Sequence, residues 1–241
     1  MNQTPEKEKK TLGILGGLGP MATVYFYELL VRHTSAGRDQ DHIDVIISGR
    51  ATTPDRTAFI LGRSGDDPLP VMAEELLRLE NAGADIVVMP CNTAHYFYDE
   101  LARRARVPML DIIHETLAHC ASLGMKRIGL LATEGTVRSG SYQKRAEPLG
   151  LEIAVPPESD QLVISEQIYG RIKKNLAPDA GAVISAAEKL RRSGCDTVVL
   201  GCTELSLMRK DALSGDTRFT DSMEALARAA ILACGKEPLG L

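Results

Sequence analysis

Short runs of aliphatic and β-branched residues recur along the chain at 12–15, 45–47, 86–89, 128–131 and 198–200, each bounded by polar or glycine-containing stretches. Continuous apolar runs of this length read as strands covered on both faces, as in parallel sheets. Between them, segments such as 71–81 and 182–192 place apolar residues three and four apart, which predicts amphipathic helices. Strands alternating with helices of this size predict an α/β fold with mostly parallel sheets.

The pattern also repeats. Gly83-Ala-Asp-Ile-Val-Val-Met-Pro-Cys91 overlays Gly194-Cys-Asp-Thr-Val-Val-Leu-Gly-Cys202 without a gap, 111 residues later. In each copy a helix ends near a glycine, an aspartate leads into a strand, and the strand delivers a cysteine to its C-terminal end. Leu12-Gly-Ile-Leu15 likewise matches Ile128-Gly-Leu-Leu131, and Leu110-Asp111 matches Thr220-Asp221. The expectation is two similar α/β lobes related by a pseudo-dyad, one formed by residues 10–113 plus 221–241 and one by residues 114–220. Residues 1–9 read as a flexible leader. The last helix is expected to pack back on the first lobe, because Asp221 mirrors the Asp111 at the crossover. Open α/β sheets bind ligands at strand ends, so Cys91 and Cys202 are expected to oppose one another across the interlobe crevice. Many cysteines are only packing, and Cys195, whose counterpart is Ala84, reads that way, as do Cys120 and Cys234 at helix-period positions. Cys91 and Cys202 differ because polar, loop-forming residues follow both.

Composition narrows the class. With 44% hydrophobic and 25% charged residues, the 241-residue chain matches soluble globular domains and buries roughly 70–75% of its unfolded surface. Its 28 Lys+Arg against 32 Asp+Glu leave a formal charge of −4, without the basic excess that nucleic-acid binding draws on. No segment approaches the ~20 apolar residues of a membrane span, and the polar N-terminus lacks a signal-peptide core, so a cytoplasmic protein is expected. Five scattered cysteines suit reduced thiols better than a disulfide framework. No metal is expected: Cys195 and Cys202 lack a Cys-x-x-Cys neighbour, and His114 and His119 stand five apart, not the four a zinc-binding helix face needs. Gly17-Leu-Gly19-Pro-Met-Ala22 fits a loose dinucleotide fingerprint, but the second strand runs into Ser48-Gly49-Arg50 with no acidic residue for a ribose. Its glycines either let backbone N–H groups approach a small carboxylate or make a tight turn.

Two thiols flanking one carbon suit inversion, one removing a proton from one face while the other delivers a proton to the opposite face. Only a thiolate is a base, and each cysteine sits at a strand-to-helix turn, where a helix N-terminus is expected to lower the thiol pKa. Asn92, Thr93 and Thr203 offer donors that would hold an α-carboxylate and stabilise a carbanionic transition state. A hydrolytic pairing of Cys91 with His95 would leave the duplicated cysteine unexplained.

The stretches Gly13-Ile-Leu-Gly-Gly-Leu-Gly-Pro20, Pro54-Asp-Arg-Thr-Ala58, Met89-Pro-Cys-Asn-Thr-Ala-His95, Leu130-Leu-Ala-Thr133 and Gly201-Cys-Thr-Glu204 together resemble the aspartate/glutamate racemase family, and most closely its aspartate racemases. The resemblance runs from about residue 10 along nearly the whole chain. It implies a racemase of small-molecule amino acids with acidic side chains, built of two α/β domains, usually a homodimer, and working with no cofactor, neither pyridoxal phosphate nor metal. By the same resemblance Cys91 and Cys202 are the acid/base pair, and Asn92, Thr93 and Thr203 bind the α-carboxylate. Thr133 lines that pocket, while Arg56 and Lys173 hold the side-chain carboxylate. The stretch Ser48-Gly-Arg-Ala-Thr-Thr53 has no match in the aspartate pattern, which makes Arg50 a candidate to enlarge or shift the cationic pocket. Hydantoin racemisation, maleate isomerisation and a non-catalytic amino-acid-binding role are the alternatives. Arg56 and Lys173 argue against neutral hydantoins, and paired cysteines argue for an enzyme.

Overall fold

The computed structural model describes residues 9–209 and 212–241, so residues 1–8 of the expected leader lie outside the described residues. Among the described residues eight strands form: β1 (Leu12–Gly16), β2 (Val45–Gly49), β3 (Ile86–Val88), β4 (Met109–Leu110), β5 (Arg127–Ala132), β6 (Glu152–Ala154), β7 (Thr197–Gly201) and β8 (Phe219–Asp221). They make two four-stranded sheets of order β2-β1-β3-β4 and β6-β5-β7-β8. Every ladder within the sheets is parallel. The two orders become the same when β1 to β4 are exchanged for β5 to β8, so the repeat in sequence is a repeat in topology. β3 and β7 hold the same place, and Cys91 and Cys202 follow them at equivalent sheet ends. The runs at 12–15, 45–47, 128–131 and 198–200 fall wholly on strands, and that at 86–89 does so up to Val88. β4, β6 and β8 are two or three residues long, too short to show a period.

The repeated motif does the same mechanical work twice. Gly83 (φ 98°) and Gly194 (φ 96°) take the left-handed conformation that closes helices Leu69–Asn81 and Ala180–Arg192. Asp85 then accepts the Thr11 N–H at 2.8 Å, and Asp196 accepts those of Lys126 and Arg127 at 2.7 and 2.9 Å. Each aspartate thus pins the start of the neighbouring central strand and fixes its register. Gly13 on β1 is required for the same closeness: a Cβ there would stand 2.8 Å from the Ala84 Cβ.

Side chains alternate between two environments along the central strands. Leu12 and Ile14 of β1, Ile128 and Leu130 of β5 and Val199 of β7 face one continuous apolar cluster built with helices Pro20–His33, Ile112–Ser122 and Ser222–Ala233. Leu15, Val87 and Met89 face helix Leu69–Asn81 on the outer side of the first sheet, and Val198 and Leu200 face Ala180–Arg192 on the outer side of the second. Helix Ser222–Ala233 packs against both Pro20–His33 and Ile112–Ser122. Cys120 and Cys234 lie in the shared cluster.

Asp111 and Asp221 begin helices Ile112–Ser122 and Ser222–Ala233, each accepting a backbone N–H two residues on. Their surroundings differ. Burial disfavours the Asp111 charge, but the Arg145 guanidinium and the His114 backbone N–H outweigh it and hold the carboxyl below the usual range. Asp221 has Ser206 and the Met223 N–H as partners, at 2.6 and 2.8 Å, and among the described residues no cation forms an ion pair with it. Burial, with the nearby Glu224 carboxylate, pushes its pKa up to about 7. The folded protein therefore holds a proton between the ordinary carboxyl value of 3.8 and about 7 that the unfolded chain has lost. Asp221 costs stability progressively as pH rises through that window and no further above it. Asp221→Asn keeps a capping oxygen and removes the titration. Denaturation midpoints measured from pH 4 to 8 should show the variant gaining on the wild type as pH rises to about 7, whereas a constant difference would mean Asp221 titrates normally.

Candidate active site

A small cavity of about 10 Å³ lies where the two sheets' C-terminal ends meet, walled by Cys91 and Thr93 from one repeat and Thr133, Tyr169, Lys173 and Glu204 from the other. That is space for one water molecule. It adjoins an outer chamber of about 360 Å³, with which it shares Leu18, Asp55, Arg56, Lys173 and Glu204. Three hydroxyls, those of Thr93, Thr133 and Thr136, bond one another at 2.8 to 3.0 Å across the interlobe boundary. Tyr169 donates to the Thr57 hydroxyl at 2.7 Å, and Gly135 packs so closely on Thr57 that a Cβ would stand 2.8 Å from its Oγ1.

Cys202 does not line the cavity. Its buried thiol donates to Glu204 Oε2 at 3.0 Å, and Glu204 Oε1 is hydrogen-bonded by the Lys173 ammonium. Burial pushes the Cys202 thiol well above its ordinary pKa, the Glu204 carboxylate adds to this, and Lys173 only partly offsets it. The expected lowering by a helix N-terminus does not hold here: the helix that follows, Thr203–Ser206, is a single turn, too short to outweigh burial beside a carboxylate. Burial works against the Lys173 charge, yet Glu204, Cys202 and Cys91 together carry its pKa above the usual value. Lys173 and Tyr169 are carried by a π-helical turn, Glu166–Arg171, and the 3₁₀ turn after it, Ile172–Lys174. Irregular helical turns of this kind re-aim side chains at functional sites.

Residues 15–230 match the Asp/Glu/hydantoin racemase family. The chain belongs to that family. The broad specificity amino-acid racemase RacX of Bacillus subtilis (strain 168) is 28% identical over 227 residues, spanning 91% of this chain and 96% of its own length. A glutamate racemase of Desulforudis audaxviator (strain MP104C) is 30% identical over 198 residues, or 79% of this chain and 72% of that one. Among solved structures, an aspartate racemase of Picrophilus torridus superposes with a TM-score of 0.83 at 30% identity, covering 95% of this chain and 96% of that chain. Among the described residues no helix is long and apolar enough to cross a membrane.

Within this racemase fold the expected site residues separate into two groups. Cys91, Thr93, Thr133, Arg56 and Lys173 line the inner cavity. Asn92 and Thr203 line neither chamber. The Asn92 amide donates to Ser222 Oγ at 2.9 Å and accepts from the Tyr142 hydroxyl at 2.7 Å, which ties the Cys91 turn to the second sheet and to helix Ser222–Ala233. Thr203 is buried at the first turn after Cys202. Arg56 is buried, with its terminal nitrogens donating to the carbonyls of Thr53, Pro54 and Leu18. Arg50 is outside the cationic pocket altogether, because Glu74 and Glu75 hold its guanidinium at 2.6 and 2.8 Å over helix Leu69–Asn81. In the glycine loop, Gly17 takes φ 79° and turns the chain, while Gly19 sits against Glu204: a Cβ there would be 2.6 Å from Oε1. The carboxylate at this helix start is the protein's own.

Sequence reasoning missed Glu204, Tyr169 and Thr57 as site residues. Glu204 carried a signal, standing two positions after a duplicated cysteine, and Tyr169 another, four before Lys173 on a helix. Thr57 carried none beyond its neighbour Arg56. Replacing Glu204 by Gln removes the carboxylate that raises the Cys202 thiol and leaves Lys173 beside it. Alkylation of Cys202 followed by mass spectrometry as a function of pH should then reach its midpoint at lower pH than in the wild type. An unchanged or higher midpoint would show that burial alone sets this thiol.

Proposed function

We propose that this protein is an amino-acid racemase that interconverts L- and D-aspartate, and accepts glutamate, by proton transfer at Cα between Cys91 and Cys202. The observation that carries this reading is that Cys91, after β3, lines a cavity with Lys173 and Glu204, and that Glu204 accepts the thiol of Cys202, after β7, at 3.0 Å.

Cys91, as thiolate, takes the Cα proton from one face while the Cys202 Sγ–H delivers its proton to the other. Cys91 leaves the step as a thiol and Cys202 as a thiolate, and exchange with solvent restores the starting state. For the opposite enantiomer Cys202 begins as the base, and Glu204 Oε2, already accepting from Sγ at 3.0 Å, takes its proton while Lys173 balances the charge. The hydroxyls of Thr93, Thr133 and Thr136 exchange their bonds to one another for bonds to the α-carboxylate, whose charge spreads as the carbanion forms. Asn92 and Thr203 hold the turns that carry the two thiols. Arg56 and Lys173, at the wall shared with the outer chamber, face the side-chain carboxylate. The proposal assigns residues 10–113 plus 221–241 to one lobe and 114–220 to the other, and free, buried cysteines suit a cytoplasmic enzyme. Met21, Val24, Tyr27 and Val31 make an exposed apolar stripe on helix Pro20–His33 that suits a homodimer.

In deuterium oxide, L-aspartate should gain deuterium at Cα and yield D-aspartate, with Cys91→Ser and Cys202→Ser each slowing net racemisation about 100- to 10,000-fold. Full activity in both variants would remove the two-thiol mechanism. Arg56→Ala should weaken acidic substrates more than alanine in the same assay, and equal losses would make Arg56 structural.

A further inference from the structure

The buried imidazole of His95 lies behind the cavity wall, four residues after Cys91, and both of its nitrogens are engaged. Nδ1 is 2.8 Å from the Cys91 carbonyl oxygen and Nε2 is 3.1 Å from the Ile112 backbone nitrogen. A backbone N–H can only donate, so Nε2 must be the acceptor and Nδ1 must carry the proton. The ring is therefore a neutral Nδ1–H tautomer that donates to the Cys91 carbonyl. The other backbone group of Cys91 is also fixed, its N–H donating to the Met89 carbonyl at 2.8 Å. The peptide units flanking the thiol are thus held at both ends, one through the local turn and one through His95.

The surroundings keep the ring neutral and still. Tyr98 stacks on it with centroids 5.4 Å apart and planes 10° apart. The charged groups facing it are Asp111, whose Oδ1 is 3.9 Å from Nε2, and Arg145, which pairs with Asp111 at 2.6 Å from helix Ser141–Ala146 of the second repeat. Burial pushes the imidazole below its ordinary pKa, with Asp111 opposing and Arg145 assisting. A second proton would set an N–H against the Ile112 N–H and break the chain of bonds. Cys202, the equivalent thiol, has no such strut: Glu204 stands two residues after it, and the position matching His95 is Ser206, bonded to Asp221.

We propose that His95 is a positioning residue for the Cys91 thiol, a neutral strut that fixes the Cys91 carbonyl to the start of helix Ile112–Ser122 and takes no part in proton transfer. The proposal rests on the racemase reading for its kinetic consequence and on geometry alone for its structural one. Two variants separate the two bonds of the ring. His95→Asn places an amide N–H where Nδ1 stood and loses the Ile112 contact. His95→Gln reaches the place of Nε2 and loses the Cys91 contact. Asn should keep activity within a few-fold of wild type. Gln should lower kcat about 10- to 100-fold with little change in KM, as misplacement of a reacting group does. In Gln the primary deuterium isotope effect should rise only for the enantiomer whose proton Cys91 removes. Selective alkylation, read as the ratio of Cys91 to Cys202 labelling, should shift in Gln and not in Asn. Equal defects in the two variants, isotope effects that rise alike for both enantiomers, or an unmoved labelling ratio would overturn the proposal. If the wild type exchanges no Cα proton with any amino acid, the racemase reading falls, and the labelling ratio still decides the role of His95.

Discussion

Glu204 puts a carboxylate against the Cys202 thiol where both are buried, and the charge is tolerable there because Lys173 reaches it from the other side. Each member of this triad would be poorly placed alone. An unpaired buried charge costs several kcal/mol, and a buried thiol beside a bare carboxylate would be locked in its protonated form. Together they form a unit whose net charge is zero and whose proton has two places to rest. The arrangement also explains Gly19, since any side chain at that position would displace the carboxylate from the start of helix Pro20–His33.

Duplication supplied the scaffold, and divergence supplied the chemistry. The strand order, the closing glycines and the strand-pinning aspartates are the same in both repeats because they serve backbone geometry, which the two lobes share. The groups around the two thiols are not the same. Cys91 opens on the cavity, is followed by His95, and has its carbonyl held by a neutral ring. Cys202 is turned to a carboxylate. Asp111 and Asp221 diverge in the same way: both cap helices, yet Arg145 pairs with the first, and among the described residues no cation pairs with the second. Such asymmetry suits the mechanism proposed above, in which the two thiols must be in opposite protonation states.

The fold was legible because its signals are local. Each of the five apolar runs and two helix periods is a pattern within a few consecutive residues, and each copy of the ungapped repeat is nine residues long. The thiols, Thr93, Thr133, Arg56 and Lys173 were legible as motif residues. Their relations were not. Lys173 meets Glu204 across 31 positions and Tyr169 meets Thr57 across 112, and no spacing rule reaches that far. The same limit explains Asn92 and Arg50. Asn92 looked like a substrate donor beside a thiol, but Tyr142 and Ser222, 50 and 130 positions away, claim both ends of its amide. Arg50 looked like an added cation, but helix Leu69–Asn81 presents two carboxylates to it.

The inner cavity is too small for an amino acid, so the proposed reaction requires the site to widen, and the packing says where. A rigid parting of the lobes would expose the single apolar cluster that joins β1, β5 and β7 through three helices, at about 25 cal/mol for every Å² uncovered. The contacts that close the cavity are of a different kind. They are hydroxyl bonds among Thr93, Thr133 and Thr136, the Tyr169–Thr57 bond, and the exposed Arg63–Glu134 pair. Water or substrate replaces such bonds at a net cost of about 1 kcal/mol each. Widening therefore falls to the segments that carry these groups, helix Arg56–Ile60 and the irregular turns from Glu166 to Lys174, the latter ending at Asn175 in a left-handed conformation. The turns that carry Cys91 and Cys202 directly follow β3 and β7, so widening at these segments leaves the proposed bases attached to the sheets.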